Sequence, residues 1–168
     1  MQKNIILIGM PGSGKSTIGV QLAKSLGLHF TDTDLLIQSQ QQRQLQDILD
    51  HDGYLALRKL EEQVLLGLHL QHDLVATGGS AVYSAAGMQH LAQQGLVIFL
   101  DVDLNILKQR IQNESTRGIA RPAHQSFEEV YTERLPLYQH FAHITVHNNA
   151  MMDIEQLTER INSQFTTP

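Results

Sequence analysis

The 168-residue chain has no cysteine, which excludes disulfides, thiolate zinc sites and a cysteine nucleophile together. A reducing compartment fits that absence. No apolar run is long enough to span a bilayer. Met1 to Lys3 lead straight into an apolar strand, without a basic leader region or cleavage site. A cytoplasmic location without membrane contact is expected. Positive charge is scarce, with 12 Lys and Arg against 17 Asp and Glu and a formal net charge of −5. A general nucleic-acid binder would carry a basic face instead. Aromatic residues make up 5% of the chain, and Tyr83, Tyr131 and Tyr138 are too sparse for a base-stacking platform. No Pro/Gly/Ser linker or repeat divides the sequence, so 1–168 is read as a single domain and expected to act as a monomer.

What is present is an alternation of apolar runs and amphipathic segments, the pattern of an α/β domain with a parallel sheet. Asn4 to Ile8 lacks alternation, as a strand covered on both faces would. Lys15 to Leu26 reads as a helix with Ile18, Leu22 and Leu26 on one stripe and Gly27 as its stop. A short strand is expected at Phe30 to Thr33, then helical structure over Leu35 to Leu49 and Tyr54 to His72. The Gln-rich stretch Gln38 to Gln46 falls inside this region and reads as a polar helical surface. Further buried strands are expected at Leu74 to Thr77, Val97 to Asp101 and Ile144 to His147, with helices at Leu104 to Gln112 and Asp153 to Phe165. Asp101 and Asp103, between a strand and a helix, are read as caps.

One motif carries chemistry outright. Gly9-Met10-Pro11-Gly12-Ser13-Gly14-Lys15-Ser16 matches G-x-x-x-x-G-K-[ST], with a buried strand before it and an amphipathic helix after it. Glycines let the backbone turn tightly and aim N–H groups at phosphate oxygens, and the helix N-terminus adds a favourable dipole. Gly12, Ser13, Gly14, Lys15, Ser16 and Thr17 are therefore the nucleotide-binding candidates. Lys15 is expected to reach the β- and γ-phosphates, and Ser16 to sit on Mg²⁺. An ordinary Gly-rich turn would need neither the third glycine nor Lys-Ser at fixed offsets. No N-K-x-D guanine motif is present, and Leu74 to Ser80 offers no acid where a Walker B strand would hold metal.

Several further motifs stand in order: Asp32-Thr33-Asp34, the Arg58 helix, Thr77-Gly78-Gly79, Arg121-Pro122 and Glu133-Arg134-Leu135-Pro136-Leu137-Tyr138. With the phosphate loop, they make nearly the whole chain resemble the shikimate kinase family. The resemblance implies a three-layer P-loop kinase fold, with a five-stranded parallel sheet flanked by helices, a substrate-binding helical region at about 34–61 and a mobile lid at about 115–126. It implies ATP with Mg²⁺ and a small anionic, hydroxylated acceptor such as shikimate. Asp32 would help organise the metal, and Asp34 would bind and orient the acceptor hydroxyl. Arg58, Gly78, Gly79 and Arg134 would hold the acceptor, the arginines on its carboxylate. Arg121 would reach the transferring phosphate, Arg110 would lie near the adenine, and Arg117 is a further lid candidate.

The residues taken alone agree in part. Asp32 and Asp34 are expected to alternate on a strand at the sheet's carboxyl edge, one toward metal and one toward substrate, with an N-cap as the plain alternative for Asp34. Glu61, three residues after Arg58, is either the group that orients that guanidinium or half of a surface ion pair. Several positions depart from the family pattern: Tyr54 replaces an acid, Leu57 an aromatic, Ser80 a glycine, and Ala123 and His124 two leucines, while the lid gains Arg117. They keep open a kinase for another small hydroxy acid or sugar acid, beside a nucleotide-binding regulator that transfers nothing. Nine histidines lack any H-E-x-x-H spacing, so His140, His143 and His147 are read as surface or loop residues.

Overall fold

A computed structural model describes residues 4–111, 118–150 and 152–166. The strands are β1 (Ile5–Ile8), β2 (His29–Asp32), β3 (Asp73–Ala76), β4 (Leu96–Asp101) and β5 (Ile144–His147). They form one five-stranded sheet in the order β2-β3-β1-β4-β5, and every pairing is parallel. The helices are α1 (Lys15–Leu26), α2 (Thr33–Gln41), α3 (Leu45–Asp52), α4 (Tyr54–Gly67), α5 (Ala85–Gln94), α6 (Leu104–Arg110), α7 (Phe127–Phe141) and α8 (Ile154–Thr166), with a 3₁₀ turn at Ala81–Tyr83.

The central strand explains its own sequence. Ile6 and Ile8 point into a core with Leu65, Met88, Leu91, Phe127 and Val130. Ile5 and Leu7 point into a second core with Ile18, Leu22, Leu157 and Ile161. Both faces are covered, so both parities must be apolar. A third, smaller cluster holds Ile37, Leu45, Ile48, Leu57, Val64 and Ala120 together, and it supports the excursion between β2 and β3. From β1 the chain runs first toward β2 and later toward β4, so the strand order reverses beside β1. Such a reversal opens a crevice beyond the carboxyl ends of the strands, where α/β folds bind ligands. Thr77 closes its floor: its N–H and its Oγ1 both donate to the Leu7 carbonyl, at 3.1 and 3.0 Å.

Several boundaries differ from the sequence expectation. The segment expected to be helical from Leu35 to Leu49 is two helices, because Gln42 takes a left-handed conformation at φ 53° and ends α2. Helix α4 stops at Gly67 rather than His72, since the Leu68 carbonyl is taken by the His90 and Gln94 side chains at 2.8 and 3.1 Å. Asp34 lies in α2, not on β2; the capping residue is Asp32, whose Oδ1 accepts from the Asp34 and Leu35 N–H groups. Asp103 stands at the start of α6 without a side-chain capping bond, and Asp101 instead approaches His147 at 3.2 Å. Gln112, expected to end α6, lies outside the described residues, as do Arg117 and the first part of the expected lid. Among the described residues no helix is long and apolar enough to cross a membrane, and no metal-competent cluster of His, Asp and Glu occurs.

Candidate active site

The phosphate loop joins β1 to α1. Gly14 begins the helix at φ 94°, a conformation that a β-carbon would strain, and the Ser13 N–H closes the loop on the Met10 carbonyl at 3.1 Å. Lys15 folds back over this loop, its Nζ donating to the Gly9 and Met10 carbonyls at 2.8 and 3.0 Å. Burial pulls its pKa down to about 8, against the opposing pull of the Asp34 and Asp32 carboxylates. Ser13 Oγ is buried with no protein partner, close against Gly9, where a β-carbon would fall 2.9 Å from it. Asn148, just past β5, donates from Nδ2 to the Ser13 carbonyl at 2.7 Å. Its own carbonyl accepts from Arg110 Nη2 at 2.9 Å, so Arg110 stands beside the loop.

Asp32 serves two elements at once. While Oδ1 caps α2, Oδ2 accepts the Ser16 hydroxyl at 2.6 Å. A hydroxyl and a carboxylate held together at a phosphate loop are hard oxygen donors, which suits Mg²⁺ with water completing the shell. The same cap turns the chain so that Asp34, two residues on, faces inward. Burial first, then the Asp32 charge, raises its pKa to about 6, while Lys15 pulls the other way. Gly78 is the close neighbour that permits this arrangement. A β-carbon there would fall 2.6 Å from Asp34 Oδ1 and would also collide with Glu61 Oε1. Glu61 is buried and held up to about 7, by burial and then by the nearby Asp34 charge.

Two arginines meet at the other end. Arg134 on α7 is 1% exposed; its Nη2 donates to the Ala120 carbonyl at 2.8 Å and its Nε to the Tyr83 hydroxyl at 3.4 Å. Its Nη1 stands 3.0 Å from where a β-carbon on Gly79 would lie. Arg58 on α4 donates from Nη2 to the same Ala120 carbonyl at 3.3 Å. Glu61 is not its hydrogen-bonding or ion-pair partner, contrary to the orienting role expected from spacing: the Glu61 carboxylate takes a short hydrogen bond from Ser80 Oγ. Tyr138, stacked on Phe99 with centroids 5.1 Å apart, donates to the Gly79 carbonyl at 2.5 Å.

These groups line one cleft of about 940 Å³ that runs from Gly12, Lys15, Ser16, Thr17 and Arg110 past Asp32 and Asp34 to Gly79 and Arg134. Arg58 lines an adjoining hollow of about 370 Å³ with Glu61, Ser80 and Tyr83. Arg121 is not among the residues lining the cleft; its charge acts on Glu128 at the start of α7. Sequence reading missed Ser80 as a hydrogen-bond donor, Tyr83, Asn148 and Tyr138. Each acts through a contact with residues far away in the chain, which no local spacing announces. Tyr138 left a trace in the Glu133 to Tyr138 motif, and Ser80 in its replacement of a glycine.

Comparison with known proteins gives concordant results. A family model described as "Shikimate kinase" matches residues 11–165. A shikimate kinase of Paracidovorax citrulli is 33% identical, covering 98% of this chain and 92% of its own length. One from Haemophilus influenzae is 34% identical, covering 96% and 94% respectively. Among solved structures, shikimate kinase from Acinetobacter baumannii in complex with shikimate aligns with a TM-score of 0.86 at 28% identity, over 98% of this chain and 93% of that one. Shikimate kinase from Aquifex aeolicus aligns with a TM-score of 0.80 at 26% identity, over 96% and 95%.

Proposed function

Because the chain belongs to the shikimate kinase family, we propose that it transfers the γ-phosphoryl group of ATP to a hydroxyl of shikimate, with the cleft residues in the following roles. The observation that carries this reading is the continuity of the cleft, which joins the phosphate loop to Asp34, Gly79 and Arg134. A donor and an acceptor can therefore lie end to end, the geometry an in-line phosphoryl transfer needs.

Backbone N–H groups of Gly12 to Thr17 and the Ser13 hydroxyl bind the phosphates, and Arg110 and Asn148 border the purine. Lys15 swings from the Gly9 and Met10 carbonyls to the β- and γ-phosphates. Ser16, and Asp32 through water, hold Mg²⁺, which when bound neutralises charge on the phosphate oxygens. Arg58 and Arg134 bind the acceptor carboxylate, and Gly78 and Gly79 admit the acceptor close to the backbone. Asp34 accepts the hydroxyl proton as the acceptor oxygen bonds to the γ-phosphorus and the bond to the β,γ-bridging oxygen breaks, releasing ADP. With a pKa near 6, its carboxylate is mostly ionised at neutral pH and close enough to neutrality to take that proton. Arg121 reaches the transferring group when the lid closes, and closure excludes water as a rival acceptor. All these groups come from one chain, which is why we take the working unit to be a monomer, acting in the cytoplasm.

The test is ADP release measured with shikimate, quinate, gluconate and nucleoside monophosphates offered in turn. Turnover with shikimate at least ~100-fold more efficient than with the others is expected, since a polar site rejects partners that leave its groups unpaired. ATP turnover with none of them would defeat the proposal.

A further inference from the structure

Among the described residues no carboxylate hydrogen-bonds or ion-pairs with Arg58, although Glu61 and Glu133 both feel its charge. The Arg58 Nε is buried with no hydrogen-bond partner, and its hydrogen bond to the protein is the long one to the Ala120 carbonyl, at 3.3 Å. Glu61, the acid one helical turn away, is engaged by the Ser80 hydroxyl. What surrounds the guanidinium instead is aromatic: its Cζ lies 3.6 Å from the centroid of the Tyr83 ring and 5.0 Å from that of Tyr54. Both distances are within the range where a ring's negative face attracts a cation.

The two rings reach Arg58 by different routes. Tyr54 opens α4 one turn before Arg58, so the helix itself presents its ring to that side chain. Tyr83 comes from the 3₁₀ turn after β3 and is anchored at its far end, its hydroxyl donating to Glu133 and accepting from Arg134 Nε. Arg134 also lies over the Tyr83 ring, with its Cζ 5.2 Å from the centroid. Tyr83 therefore touches both guanidiniums that converge on the Ala120 carbonyl.

We propose that Tyr54 and Tyr83 are positioning residues, an aromatic clamp that holds the Arg58 guanidinium for the acceptor's carboxylate. The inference rests on the reading that Arg58 binds that acid. A clamp of π faces differs from a carboxylate in one useful respect. It orients the planar cation without neutralising it and leaves the N–H edge free for a bidentate contact with the incoming anion. The Ser80 hydroxyl supports the device by engaging one oxygen of Glu61, the acid one helical turn along. That oxygen would otherwise compete with the acceptor for the same N–H groups.

The test combines steady-state kinetics with NMR on the full chain. Tyr54→Leu should raise the acceptor KM roughly 3- to 30-fold, the range for losing one partly desolvated cation–π contact. The KM for ATP should stay within about twofold. Tyr54→Phe, which keeps the ring, should stay near wild type, a rescue that a hydroxyl role would not produce. Arg58→Ala is measured in parallel. If it raises the acceptor KM while Tyr54→Leu does not, the clamp is refuted and the acceptor reading stands. If Arg58→Ala leaves the acceptor KM unchanged, the acceptor reading fails and the clamp falls with it. Should Tyr54→Leu not fold, wild-type protein decides: the Arg58 Nε proton should shift upfield and show cross-peaks to ring protons of both tyrosines. Absence of those cross-peaks would overturn the proposal.

Discussion

Arg58 and Arg134, on helices far apart in the sequence, donate to one and the same oxygen, the Ala120 carbonyl, at 3.3 and 2.8 Å. One backbone acceptor cannot satisfy two guanidiniums, each with five donors. The unsatisfied edges are the capacity a carboxylate would use.

Arg58→Ala and Arg134→Ala should each raise the acceptor KM at least about 10-fold, since a charge-assisted contact is worth about 1.5–3 kcal/mol. ATP affinity should barely change. The two differ in stability: Arg134 is 1% exposed, so its truncation should also lower Tm, whereas Arg58→Ala should not. Lysine at either site should recover part of the loss. Steady-state kinetics with thermal melts checks both halves, and an unchanged acceptor KM in both alanine variants counts against the paired-arginine site.

Lys15→Ala should cut kcat by at least ~100-fold, the scale of one preorganised electrostatic contact. Its fold should persist, because burial disfavours the Lys15 charge and so offsets the loss of its hydrogen bonds to the Gly9 and Met10 carbonyls. A variant with near-full turnover would contradict the role given to the loop.

The pH dependence of kcat/KM should be bell-shaped. Asp34 must be ionised to accept a proton, and its pKa near 6 places the acid limb there; Lys15 must stay charged, and its pKa near 8 sets the alkaline limb. The acid limb belongs to the coupled Asp34–Glu61 pair rather than to either carboxyl alone. A profile flat from pH 5 to 7 would dissociate Asp34 from the chemistry.

Stability without ligands should move in the opposite sense to that of a salt-bridged carboxylate. Asp34 and Glu61 have folded-state pKa values raised to about 6 and about 7, so between roughly pH 4 and 7 the folded chain binds more protons than the unfolded one. Stability is then greatest below the unfolded carboxyl values and falls as pH rises through that window. Glu61→Gln should flatten the Tm profile there and raise stability at pH 7.5 by on the order of 2 kcal/mol. A Tm that climbs from pH 4 to 7 in both proteins would show that these carboxyls do not govern it.

Arg121→Ala should lower kcat more than it weakens ATP binding, because a finger-like arginine acts on charge that develops during transfer. Single-turnover rates beside nucleotide titrations separate the two effects, and equal losses in both would make Arg121 a simple nucleotide contact.

The phosphate loop and β1 were legible in the sequence because their determinants are local: fixed spacing in one, unbroken apolar character in the other. Helix α1 matched at both ends, since Gly27 adopts the left-handed cap that stops it. The α2–α3 break was not legible, as Gln42 takes its left-handed turn without the glycine or asparagine that usually announces one. Asp34 was misplaced by two residues' worth of geometry, because the Asp32 cap starts α2 before its apolar stripe begins. Spacing paired Arg58 with Glu61, but Ser80 and Tyr83, after β3, decide where each of them goes. Helical neighbours are only one shell of a side chain's surroundings.

Asp34, Arg58 and Glu61 all belong to the excursion between β2 and β3, which has its own apolar cluster of Ile37, Leu45, Ile48, Leu57 and Val64. The phosphate loop and Arg110 lie outside it. On the proposed reading, acceptor choice is carried largely on one contiguous excursion of about residues 33–67, which packs on the main core through Leu65 and is tied to the turn after β3 by the Gly78 N–H to Thr33 Oγ1 bond of 2.9 Å. Evolution or a protein engineer could exchange that excursion for one that recognises a different alcohol while ATP handling stays as it is.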